Sequence, residues 1–156
     1  MELFIAPGDI LQIDNARICF RNFRGAGDMY NREGDRNFAL IIDTIEDYEK
    51  IRELGYNAKA KPANDEGEDD FMFLPVKLNY NYKCGPNAYL ITNANKVELT
   101  EETIGAIDEI DIIRVDLDIR PYDWKLPNGK CGRSAQLKSI RVVQAPPDDR
   151  FASDDE

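Results

Sequence analysis

The chain has 156 residues, enough for one domain that buries a core without disulfide staples. Its net charge is −10 and it has no histidine, which excludes Ser-His-Asp and Cys-His catalysis and histidine-ligated metal sites. Cys19, Cys84 and Cys131 are an odd set with no close CxxC pair, so we expect ordinary buried thiols in a reducing compartment.

In chain order the pattern is mostly β. Ile10–Phe20 mixes apolar and polar residues with imperfect period two and predicts a first strand. Gly25–Asp35 is a loop of glycine and turn formers, and Phe38–Ile42 a short buried strand. Thr44 caps a helix over Ile45–Leu54, with Asp47 at its third helical position, and Gly55 stops it. Tyr56–Ala60 returns as a strand. An acidic loop over 63–70 precedes a strand over Phe71–Tyr80, where Pro75 favours an edge or a bulge. Gly85-Pro86 turns into a strand over Ala88–Thr92, and Thr100–Thr103 begins a short helix.

The longest strand pattern runs from Ile110 to Trp124. Ile113, Val115, Leu117 and Ile119 alternate with Arg114, Asp116, Asp118 and Arg120, one face core and the other wet. Asn128-Gly129 makes a hairpin turn, and Ser134–Val143 returns with Ala135, Leu137 and Ser139 opposite Gln136, Lys138, Ile140 and Val142. Close-spaced short strands with one or two short helices predict an all-β, mainly antiparallel fold, an OB-like Greek-key barrel over 1–145. No apolar run reaches about 18 residues, and the start at Met1-Glu2-Leu3 is not basic. The protein is therefore expected to be soluble and cytoplasmic, without a signal peptide or membrane partner.

The charge is unevenly placed. Residues 146–156 contribute −4 and residues 63–73 contribute −5, leaving −1 for the rest. Residues 120–141 hold six bases against one acid, Asp123. The local field is what meets a phosphate, so the net charge does not exclude a polyanion. Residues 146–156, behind a Pro-Pro break, have too little apolar area to offset their ordering entropy and are expected to form a mobile acidic tail.

Two clusters combine cations with rings. The first holds Arg21, Phe23, Arg24, Tyr30 and Arg36; the second holds Arg120, Tyr122, Trp124, Lys125, Lys130, Arg133 and Lys138. Binding a single strand without reading its sequence needs spaced cations for phosphates and exposed rings on which bases stack, each worth about 1–3 kcal/mol. Tyr122 and Trp124 fall on one strand face with Arg120, a cation and two rings in a row. Phe23, Phe38 and Tyr122 are also candidates for the core. Other chemistry is thinner: Asp116 and Asp118, with Glu109 or Asp111, are the residues a divalent metal would use in a nuclease, although alternating acids usually mark a solvated strand face.

These motifs carry a resemblance. Arg21-Asn22-Phe23-x-Gly25 with Tyr30-Asn31-x-x-Gly34-x-Arg36-Asn37-Phe38, then Arg120-Pro121-Tyr122-x-Trp124, Asn128-Gly129-Lys130-x-Gly132 and Ala135-x-Leu137-Lys138-Ser139, resemble a family of small phage single-stranded-DNA-binding proteins over roughly residues 17–144. The resemblance implies an OB barrel, a non-enzymatic role, single-stranded DNA as ligand, and work in phage replication or recombination inside a bacterial cell. No cofactor is expected. The tail residues Asp148, Asp149, Phe151, Asp154, Asp155 and Glu156 are expected to contact replication or recombination proteins and to compete with DNA; self-association is left open. The alternative is an acidic DNA mimic that blocks a host factor, for which the net charge and the two acidic runs speak.

Overall fold

A computed structural model describes residues 1–63, 70–81, 85–93 and 95–146. Among them are nine strands: β1 (Glu2–Ala6), β2 (Ile10–Asn22), β3 (Arg36–Ile42), β4 (Lys59–Lys61), β5 (Phe71–Leu78), β6 (Asn87–Thr92), β7 (Asn95–Leu99), β8 (Ile112–Lys125) and β9 (Cys131–Gln144). Helix α1 (Ile45–Glu53) follows β3, and a 3-10 helix (Ile104–Glu109) precedes β8. The acidic run at 64–69 and the tail from 147 onward lie outside the described residues.

Five strands close a ring. β2 pairs antiparallel with β3 and with β8, β3 with β5, and β8 with β9. A short parallel contact, Val76 to Ala135 and Lys77 to Gln136, joins β5 to β9 and completes the barrel. This is the OB-like architecture expected from the strand spacing. The remaining strands are appended: β1 on β2, β4 on β5, and the β6–β7 hairpin on β9 through β6.

Inside the ring, Leu11, Ile13, Leu40, Leu74, Val76, Ile119, Leu137 and Ile140 are fully buried, each contributing about 1.5–3 kcal/mol by leaving water. Ile51 of α1 lies buried near the end where β3 finishes. Ile104 and Ile107 of the 3-10 helix are buried near the other end, where β8 starts. Thr44 caps α1 as expected, its hydroxyl accepting from the Asp47 N–H at 3.1 Å.

Some expectations change. β1 and β7 were not anticipated; both are short edge strands of mixed polarity. Tyr56 makes only an isolated bridge to Arg133, and strand pairing starts at Lys59. Pro75 sits inside the ring rather than at its edge. It pairs with Ala39, at the gap where the partner on the other side of β5 changes from β4 to β9.

On β8, Val115, Leu117 and Ile119 are buried as the alternation requires. Ile113 is exposed, because the β8–β9 register shifts between Ile112 and Arg114. A second shift, where Asp118 pairs with Ser139 but Ile119 pairs with Leu137, reverses the inward phase of β9 at Lys138. Ala135 and Leu137 therefore point inward before it, and Ile140 and Val142 after it. Cys131 is exposed rather than buried.

Candidate nucleic-acid interface

The loop between β2 and β3 occupies one end of the barrel. Its start is anchored by Phe23, which is 0% exposed and stacks on Phe38 with ring centroids 5.0 Å apart and planes 13° from parallel. That overturns Phe23 as a stacking candidate: both rings belong to the core and neither has a face left for a base. Two of the cations nearby also hold the fold. Arg21 donates through Nη1 to the carbonyls of Ile107 and Ile110, each at 2.8 Å, tying β2 to the 3-10 helix. Arg36 donates to the Phe23 carbonyl at 2.6 Å and lies over the Tyr80 ring. Arg24 is mostly exposed, 3.7 Å from Glu109.

The rest of the loop is built in advance of any ligand. The Asn31 amide donates to the carbonyls of Ala26 and Asp35, and its oxygen accepts from Asn37, all at 2.9 Å. Asp28 accepts from the N–H groups of Tyr30 and Asn31 at 2.7 Å. Gly25 has φ +70, and a Cβ there would press on the Gly34 backbone and Arg36. The Tyr-Asn-x-x-Gly-x-Arg-Asn-Phe motif is thus the loop's own scaffold. It leaves Tyr30 93% exposed at the tip, beside a cleft of about 670 Å³ bordered by Phe20, Arg24, Tyr30 and Glu109.

The β8–β9 hairpin stands at the opposite end, since β8 runs antiparallel to β2, with Ile119 beside Leu11 and Val115 beside Ala16. Its turn closes through Leu126 and Lys130, with Gly129 at φ +90. Tyr122 and Trp124 are 40% and 36% exposed and share a face with Arg120, opposite Ser134 and Gly132 in register. Lys125, Lys130 and Lys138 are exposed. Arg133 is different. Its guanidinium grips Asp123 bidentately at 2.7 and 3.1 Å, and reaches Asp9 at 2.6 Å and the Leu54 carbonyl at 2.8 Å. Four of its five N–H donors are taken by these partners, which leaves at most one for a phosphate. The hydrogen bond from Arg133 holds the Asp123 carboxyl below the usual carboxylate range.

The structure therefore brings Arg21, Arg24, Tyr30 and Arg36 together at one end, and Arg120, Tyr122, Trp124, Lys125, Lys130 and Arg133 at the other. The outward face that runs from the end of β2 across β3 and β5 to β4 connects the two ends. There the structure places rings that the sequence reading missed. Phe20, turned outward at φ +52 by the irregular register between Cys19 and Asn22, is 66% exposed and packs edge-on against Phe71 at 6.3 Å. Phe71 stacks on Phe73 at 5.3 Å, and Lys61 lies over Phe73. Lys59, Lys61 and Lys77 are exposed along these strands. The available signal was the alternation of Phe71 and Phe73 with Met72 and Leu74, which puts both rings on one face. Nothing local marked Phe20.

The acids of β8 do not form a metal centre. Asp116 accepts from the Asn15 N–H at 2.9 Å and pairs with Arg114 and, at 4.0 Å, Arg141; Asp118 accepts from the Ser139 hydroxyl at 3.2 Å. Burial pushes the Asp116 carboxyl up, but the Asn15 N–H and the two arginines outweigh it and leave it below its ordinary value. A carboxylate already matched by two arginines is a poor cation ligand, which corrects the nuclease reading.

The sequence model of a family described as "Putative phage ssDNA-binding domain" matches residues 4–153. The chain belongs to this family. The family is described by binding rather than by catalysis. Solved structures with the same fold include the single-stranded DNA-binding protein from bacteriophage Enc34. In its complex with ssDNA, that protein is 12% identical, with TM-score 0.59 over 92% of this chain and 90% of that one. Its C-terminally truncated form is 16% identical, with TM-score 0.58 over 90% and 88%. A comparison with curated protein sequences returns no match. Among the described residues, no helix is long and apolar enough to cross a membrane.

Proposed function

We propose that this family member binds and protects single-stranded DNA without strong sequence preference during phage DNA replication and recombination. The carrying observation is the outward face that runs from the end of β2 across β3 and β5 to β4. Exposed Phe20 and half-buried Phe71 lie there beside Lys59, Lys61 and Lys77, between a loop presenting Tyr30 and a hairpin presenting Tyr122 and Trp124. Stacking faces are tolerant of base identity, and flexible lysines replace counterions along the backbone. Arg24, Lys125 and Lys130 add cations at the two ends, and Lys138 adds one at the β9 bulge.

In this reading the acidic tail competes with DNA for the same cations and, once displaced, offers Phe151 among its acids to replication or recombination proteins. A DNA mimic is disfavoured by the body's acids. Asp9, Asp43, Asp116 and Asp123 are paired with arginines instead of forming a free anionic surface. Titration with oligothymidine, followed by the fluorescence of Trp124, the one tryptophan of the chain, tests the proposal. Quenching that saturates, together with a retarded oligonucleotide on a gel, is expected. Absence of both rejects DNA binding.

A further inference from the structure

We infer that Arg133 is a positioning residue, a lock that fixes the β8–β9 hairpin to the barrel so that its opposite face presents Tyr122 and Trp124. The inference rests on the single-strand-binding reading above and assigns Arg133 a role other than phosphate contact.

The hairpin needs a lock because it outruns its neighbours. The β2 partner of β8 ends at Leu11 beside Ile119, and the β5 partner of β9 begins only at Ala135. From Arg120 to Ser134 the two strands pair with each other, and a two-stranded ribbon alone is marginally stable in water. Among the described residues, an isolated backbone bridge joins this segment to the rest of the fold at Arg133 and Tyr56.

Side chains alternate along a ribbon, so Asp123 and Arg133, facing each other in register, lie on the face opposite Tyr122 and Trp124. On that face Arg133 makes four hydrogen bonds: two to Asp123, one to Asp9 in the β1–β2 turn, and one to the carbonyl of Leu54, the C-cap of α1. A cation at a helix C-terminus also meets the negative end of the helix dipole. Tyr56, whose ring lies 6.0 Å from the guanidinium, donates its hydroxyl to the Asp9 carbonyl at 2.6 Å and fixes the turn that carries Asp9. The Arg133 side chain is only 22% exposed.

Asp123→Ala separates the two roles by sign. Removing an acid from a surface that touches phosphates tightens binding, and more so if it frees an arginine. Removing one jaw of a lock loosens the hairpin and weakens binding. The lock predicts several-fold weaker oligothymidine binding with an unchanged salt slope. It also predicts, in the free protein, lower Trp124 anisotropy and stronger acrylamide quenching. The Asp123 side chain is 65% exposed, so the variant should fold.

Arg133→Met should give the same loosened indole. Tighter binding by Asp123→Ala, or an indole as rigid as in the parent protein, overturns the lock. So does a salt slope shallower by about 0.7 in Arg133→Met, the increment of one lost phosphate contact on a single strand. If the parent protein fails to bind oligothymidine, the DNA reading falls, while the anisotropy of the DNA-free variants still decides on the lock.

Discussion

The indole of Trp124 packs against Gly132, its cross-strand partner. A Cβ built on Gly132 overlaps the ring and comes 2.8 Å from Cε2. The small residue lets the ring lie against the ribbon on one side while the other side stays accessible. Gly132→Ala is therefore expected to lift the indole away from the strand, changing its emission maximum in the DNA-free protein. It should weaken oligothymidine binding by no more than Trp124→Ala does, a loss of about 1–3 kcal/mol for one stacked base. An unchanged spectrum in Gly132→Ala contradicts the packing.

Phe20 and Phe23 are near in sequence and opposite in role. Phe23→Ala opens a cavity under Phe38 and should destabilise the fold by about 3–5 kcal/mol in denaturant unfolding. Phe20→Ala removes a largely exposed ring and should alter stability by less than about 0.5 kcal/mol. The same variant should weaken single-strand binding by about 1–3 kcal/mol with an unchanged salt slope, since no phosphate contact is lost. Equal affinity of Phe20→Ala and the parent protein removes the outward β2–β5 face from the DNA path.

Removal of residues 146–156 is expected to tighten DNA binding. The gain should be largest at low salt, because salt screens an acidic competitor from the groove as it screens DNA. The measurement is a salt series of oligothymidine titrations on the truncated and full chains. Identical curves eliminate the competition.

The Asp116 carboxyl, held below its ordinary value in the folded protein, makes stability pH-dependent. A group with a depressed folded pKa adds stability that is present above its unfolded value, near 3.9, and is lost as pH falls through the folded value. Acid unfolding of Asp116→Asn should therefore show a shallower loss of stability below about pH 4 than the parent protein. Superimposable acid profiles refute the contribution.

Period-two alternation at Val115, Leu117 and Ile119, the Thr44 cap and the turn glycines made the strand-rich barrel and its helix legible in the sequence. These are local signals, and the phage-family motifs lie on the same elements. The bulge at Lys138 was not legible, because an inserted residue is defined by what stands opposite it on β8. Of the short edge strands, β1 has no alternation in Leu3-Phe4-Ile5, and the alternation of β7 spans only Lys96 to Leu99.

Composition and pattern alone determined an all-β domain with segregated acids and two clusters of cations and rings. Tertiary structure decided which members of those clusters face solvent. Arg21 meets carbonyls 86 and 89 residues away, and Arg133 meets a carboxylate 124 residues away. Phe20 points out while Phe23 points in because one irregular pairing turns the end of β2. A residue's type sets what it can bind, but its availability depends on partners that only folding brings within hydrogen-bond reach.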